Sequence, residues 1–285
     1  MMAHGISPRP LPVVLPALQD ELLSSWLDRH AKFYRVSRRG LLRHCSVEAP
    51  TLRDLDLNLT RDDQHRLAHW LRCDPWTIRD MTQSHGGNQP KLIATVHPVQ
   101  ICTRCISSHR LRSSTEGARL RSWMEGWRID CPVCGTALED ARPFDRLTRA
   151  NPNHPLLLSV ARTARHGAAM VTRAARRGRL FDQIVILMRG LLLPRLSEQQ
   201  GSLEKEKPRL LDLVIPGFDR FLHDSYPGFQ RPGTLLLPLS IRIPVLAGIA
   251  EVARQPSSWA ARLPDAVADT ARPALAAAFK ALAPA

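Results

Sequence analysis

Lysine is scarce in this sequence, with five against 35 arginines in 285 residues, and acids are outnumbered, 26 Asp and Glu against 40 Lys and Arg. The formal charge of +14 favours a polyanionic partner, nucleic acid first, with an anionic membrane surface also compatible. An arginine bias can also come from a GC-rich genome, so the placement of the charge carries more weight than its total. A long hydrophobic run is missing as well. The longest apolar stretch, 235–252, carries Arg242 and Glu251 and is broken by Pro238 and Pro244, which argues against a membrane-spanning helix. Residues 1–16 hold four prolines and no charged leader followed by an apolar core, so no signal peptide and a cytoplasmic location are expected. No Walker loop, G-x-S-x-G elbow or H-E-x-x-H helix occurs, and no enzymatic activity is expected. With only six cysteines in a reducing compartment, paired spacings read as metal ligands before disulfides.

What remains is a chain that should fold, at 44% hydrophobic and 23% charged, and that is long enough for two domains. Leu22, Leu23, Trp26, Leu27, Ala31 and Tyr34 recur at helical spacing, and Ser37 is a good N-cap for a second short helix over 38–45. Thr60 caps 61–72, and Asp74-Pro75 opens a helix ending near Thr82. Two helical hairpins of helix-turn-helix type result. A loop follows over 84–90, with a short strand predicted for 91–96. Beyond residue 155, apolar periodicity predicts helices over 155–176, 179–194, 207–224 and 238–254, then one or two short helices in the alanine-rich tail. The fold class expected is mainly α: a domain over 1–145 with a zinc module near 97–140, then an all-helical domain over 146–285.

Cys102-Thr-Arg-Cys105 and Cys131-Pro-Val-Cys134 are two CxxC knuckles. Each offers two thiolates to a tetrahedron, and together they predict one structural zinc without an open coordination position. The spacer is long for a zinc ribbon, and a helix inserted over 119–127 would account for it. His97 or His109 as a replacement ligand, and four reduced cysteines without metal, are the alternatives. Cys45 and Cys73 stand alone and read as buried small hydrophobes.

Between Arg29 and Arg43 lie Lys32, Arg35, Arg38 and Arg39 and no acid, a pattern suited to phosphate contacts by a helix-turn-helix. A solvated basic face gives the same pattern, and Arg29 itself is expected to pair with a carboxylate inside the domain. A second basic cluster holds Arg162, Arg165, Arg173, Arg176, Arg177 and Arg179, suited to backbone binding or to an acidic protein. Trp26, Trp70, Trp76, Trp123 and Trp127 read as core. The prolines of 8–16 read either as a protein-binding arm or as a strap packed on the first domain.

Residues 16–31, through Glu21, Leu23, Ser25, Trp26, Leu27 and Arg29, resemble the opening Glu-x-Leu-x-Ser-Trp-Leu-x-Arg of the TniQ/TnsD family. The likeness continues through 39–45, Asp54-Leu55-Asp56, the Cys102 knuckle, and Trp123, Trp127 and Cys131-Pro132 leading to Gly135 and Leu138. Family members often carry Cys-Pro-x-His-Gly and a further CxxC, whereas Cys134 closes the pattern here. The resemblance implies a non-enzymatic transposition accessory protein that selects target DNA and links it to an AAA+ ATPase and a transposase, with an RNA-guided complex as a further partner in some relatives. A homodimer stays open. The competing readings are a zinc-containing DNA-binding transcription regulator and a scaffold that binds only protein.

Overall fold

A computed structural model describes residues 9–49, 51–83, 92, 97–111, 114–141, 151–177, 180–194, 209–226, 237–262, 266–267 and 269–282. The protein is mainly helical, and its two compact units are drawn from Met1–Ser84, Thr95–Met124 and Asp130–Ala137 on one side and His85–Ala94, Glu125–Ile129 and Leu138–Ala285 on the other.

The first unit is built on α1 (Leu23–Phe33), whose buried face carries Leu23, Trp26, Leu27 and Ala31. No side chain next to α1 in sequence caps it. Its orphan amides are met from elsewhere in the chain. Leu22 N–H donates to the Arg119 carbonyl, Leu23 N–H to that of Met81, and Ser24 N–H to Asp56 Oδ1 at 2.9 Å. The helix stops in a left-handed turn at Arg35, φ 54°, where Val36 N–H returns to the Ala31 carbonyl. Ser37 then accepts from Gly40 N–H and opens α2 (Arg38–His44), which ends in the same way at Ser46, φ 55°.

Next comes α3 (Leu52–Leu57), a helix that sequence periodicity misses because it is so short. Its capping box was legible: Thr51 accepts from Asp54 N–H while Asp54 accepts from Thr51 N–H. Thr60 caps α4 (Arg61–Trp70), and α5 (Pro75–Asp80) follows the Asp74-Pro75 step, although Asp74 makes no side-chain cap. The proline-rich stretch takes its packing alternative. Its N–H groups are at 9, 11, 13, 14 and 15, and three of them are bonded: Leu11 to the Trp70 carbonyl, Val13 to the Tyr34 hydroxyl and Leu15 to His30 Nε2. Leu11 and Leu15 are buried beneath it.

The helix expected over 119–127 is not there. The helix in the spacer is α6 (Thr103–Arg110), which begins inside the first knuckle, and the later stretch holds only a 3₁₀ turn at Arg121–Trp123. The strand expected over 91–96 lies outside the described residues except for Leu92, which sits in a 3₁₀ turn.

In the second unit α7 (Pro155–Arg177) packs on α11 (Leu239–Arg254) through a face of small residues, Ala164, Gly167, Ala168 and Val171. The backbones meet at Gly167, where a Cβ would lie 1.9 Å from the Leu246 carbonyl oxygen. Around this pair lie α8 (Phe181–Leu191), α9 (Leu210–Val214), α10 (Phe218–Ser225), α12 (Pro256–Arg262) and α13 (Arg272–Leu282). The segment 207–224, read as one helix, is two, because Pro216 and left-handed Gly217, φ 87°, end α9. Buried Arg242 donates to the Gly126 carbonyl at 2.8 Å and to Asp140 at 3.2 Å, and Asp140 also caps Leu239 N–H at the start of α11. Among the described residues no helix is long and apolar enough to cross a membrane.

Candidate metal centre and basic surfaces

The first knuckle forms because Cys102 is the N-cap of α6 and its sulfur accepts from Cys105 N–H at 3.5 Å. The second is a tight turn closed by Cys131 N–H to the Thr136 carbonyl and Gly135 N–H to the Cys131 carbonyl. Gly135 stands there at φ 74°, a conformation glycine supplies without strain. The two knuckles face each other. Cys102 and Cys134 sulfurs are 3.4 Å apart, those of Cys105 and Cys131 3.7 Å, and all four lie within 4.8 Å of one another. A disulfide is far shorter, at about 2.05 Å, whereas four thiolates about 2.3 Å from one central ion are spaced by roughly 3.8 Å. The four cysteines therefore lie together and could hold a metal ion. Neither His97 nor His109 belongs to the cluster.

Burial pushes the Cys102 and Cys105 thiols up, while hydrogen bonds from the Thr136 hydroxyl and amide draw Cys134 down to about 6. A cation shared by the four sulfurs would offset the burial that opposes ionisation at the first two. Cys45 and Cys73 behave as buried hydrophobes: burial raises the first to about 12 and the second to about 11.

The residues that carry the family resemblance form a buried polar network. Arg29 forks onto Glu21 at 2.8 and 2.6 Å and donates to the Ser114 and Pro16 carbonyls. Ser25 donates to Glu21 at 3.0 Å and accepts from Arg119 N–H, and Trp26 Nε1 donates to the Leu15 carbonyl. Asp56 receives both the amide and the hydroxyl of Ser24, and burial raises its carboxyl to about 6. Arg29 thus pairs inside its unit, as expected.

The first basic cluster divides. Lys32 pairs with Glu116 and Arg38 with Asp28, whereas Arg35, Arg39 and Arg43 are exposed. On α7 the arginines separate cleanly from the core. Arg162, Arg165, His166, Arg173, Arg176 and Arg177 fall within about a third of the helix circumference and span about 22 Å along its axis. Arg162, Arg173, Arg176 and Arg177 are exposed, the buried residues occupy the opposite face, and α7 contains no Asp or Glu. Arg179 lies outside the described residues.

Trp76 corrects the sequence reading. It is 68% exposed, with the Arg79 guanidinium 5.2 Å from its ring centroid. At the first turn of a six-residue helix after Pro75 its side chain faces away from Ile78, which alone in α5 is buried. Trp26, Trp70, Trp123 and Trp127 are core.

The chain matches no curated protein and no solved structure. A TniQ family model matches residues 12–148, a span that holds the buried network and both knuckles. Residues 12–148 are thus similar to the TniQ family, a domain associated with transposition, and residues 149–285 lie outside the match.

Proposed function

We propose that this chain is a non-enzymatic adaptor of DNA transposition that marks or selects target DNA and recruits an AAA+ ATPase regulator and, through it, the transposase. The TniQ match over 12–148 is the observation that carries this reading. The four-cysteine cluster is assigned one structural zinc, since four thiolates leave no position for a reacting water. Its role is to fix the chain segments on either side of α6 to the rest of the first unit.

Phosphate contacts are placed first on α7. Its arginines stand on one face of a helix without Asp or Glu, and the opposite face is occupied by packing on α11, which leaves no apolar face free for a membrane surface. Arg35 is a further phosphate contact in this reading, and the protein acts in the cytoplasm. Binding of this kind is largely independent of sequence, so target choice falls to the partner complex or to contacts in the first unit.

The test has two arms. In cells lacking the gene, insertion frequency or target choice should change, and normal values for both refute the adaptor. In vitro, Arg173→Glu/Arg176→Glu/Arg177→Glu should weaken duplex binding and reduce the slope of log affinity against log salt by about 3, one contact each contributing about 0.9. An unchanged slope removes α7 from the DNA interface.

A further inference from the structure

The exposed arginines of α2 have a different setting from those of α7. Where α2 ends at the left-handed Ser46, the chain turns back and runs as a strap, Ser46–Ala49, toward α3, leaving a half-open groove of about 1180 Å³. Its floor is apolar: Leu42, Val47 and Leu55 are buried, and Ala49 is half-buried. Its rim is basic. Arg39 and Arg43 stand one turn apart on α2, and Arg38, whose guanidinium is held by Asp28, lines the same opening. Glu48 is the single acid among the described lining residues.

We propose that this groove is the docking site for an acidic, amphipathic helical segment of a partner protein. The proposal rests on the adaptor reading and deepens it by giving the chain a protein-binding face separate from the arginines of α7. Three features of the groove select that occupant. Its volume exceeds the roughly 300–1,000 Å³ of most small-molecule pockets. Among the described residues of the floor there is no aromatic ring on which a base could stack, and duplex phosphates gain nothing from Leu, Val and Ala in a concave surface. The amides of Ser46 and Val47 are already bonded to the Arg43 and Leu42 carbonyls, and the Ser46 carbonyl accepts from Arg66, so this part of the strap gives an incoming strand no ladder to extend. A helix needs none of these groups. It places apolar residues at i, i+3/i+4 and i+7 on the floor, and carboxylates beside that stripe meet Arg39 and Arg43.

The test uses a display library of random 16-residue peptides selected on the full-length protein. Enriched peptides should combine an apolar stripe at helical spacing with flanking Asp or Glu. They should bind Arg39→Glu/Arg43→Glu and, separately, Ala49→Glu at least tenfold more weakly than the parent protein. Far-ultraviolet dichroism and metal content should be unchanged, because the substituted side chains are exposed or at the groove surface. A 20-base-pair duplex should not displace the peptides, and Arg173→Glu/Arg176→Glu/Arg177→Glu should not alter their affinity. Absence of enrichment, equal affinity for the groove variants, or displacement by duplex overturns the proposal, the last by making the groove a phosphate site. Cellular insertion tests the adaptor itself, so failure of that reading registers in the deletion strain whether or not peptides bind.

Discussion

Replacing Arg29 by Ala should destabilise the first unit rather than remove a ligand contact. Arg29 is 4% exposed and the Glu21 side chain fully buried, so truncation leaves a carboxylate in a dry site without its counter-ion. Breaking a buried pair in this way costs about 3–5 kcal/mol, mostly for the charge left behind. Leu18 N–H and the Ser25 hydroxyl still donate to Glu21, which places the loss toward the lower end of that range. The Ser114 and Pro16 carbonyls lose a donor, which works against this relief. For a unit of this size the result is a fall in melting temperature of roughly 10–20 °C. Calorimetry of the parent, Arg29→Ala, Glu21→Leu and the double variant Glu21→Leu/Arg29→Leu measures it. The double variant should recover part of the loss, since no unpaired charge remains. If Arg29→Ala melts within a degree or two of the parent and instead weakens DNA binding, the side chain is a contact residue and the scaffold reading of the signature is wrong.

Metal analysis should find about one zinc per chain. Cys131→Ser should lose it and lower the melting temperature, and retained zinc with unchanged melting would refute the four-thiolate assignment. In the second unit Gly167→Ala should destabilise, because the new Cβ meets backbone 1.9 Å away; overpacking costs about 1–3 kcal/mol against a helix-propensity gain of about 1 kcal/mol, and a higher urea midpoint would contradict this. Asp56 gives a pH signature. Burial holds its carboxyl at about 6 in the folded chain, above the 3.8 of a free aspartate, so its contribution to stability is fully present below about 4 and lost as the pH rises through about 6. Asp56→Asn keeps an acceptor for Ser24 and should remove about 2–3 kcal/mol of that pH dependence; parallel stability profiles of the two proteins between pH 4 and 7 would exclude it.

Helices with a cap and a long apolar period were legible in the sequence, as α1, α2, α4 and α7 show: each cap or stripe is a local rule that the tertiary structure leaves in force. The cysteine cluster was legible because CxxC spacing specifies local geometry and the chemistry of the donors specifies the rest. Three features were not legible in this way. The insert helix was misplaced because apolar residues at 119–127 serve burial in a 3₁₀ turn and extended chain, while α6 obtains its start from Cys102. Trp76 was assigned to the core by residue type, yet its place on a two-turn helix decides its exposure. Asp56 had no local pattern to mark it as the cap of α1, because the cap is supplied from 32 residues away.

The buried network also bears on where function should be sought. Glu21, Ser25, Trp26, Arg29 and Asp56 all spend their polar groups on neighbours within the first unit. A residue whose donors are consumed in this way has nothing left for DNA or protein, so the motif that identifies the family describes a scaffold. Binding must then come from side chains that the scaffold leaves exposed, and their surroundings separate these into two kinds. The arginines of α7 line one face of a helix that carries no Asp or Glu, which suits a phosphate backbone that offers charge and no apolar surface. Those of α2 border an apolar concavity, where a ligand gains from both charge and burial. An adaptor requires contacts of both kinds, and charge-reversing substitutions on α7 and on α2 should abolish them independently, DNA retention with the first set and peptide capture with the second. Loss of both activities by either set alone would mean that the two surfaces serve a single ligand.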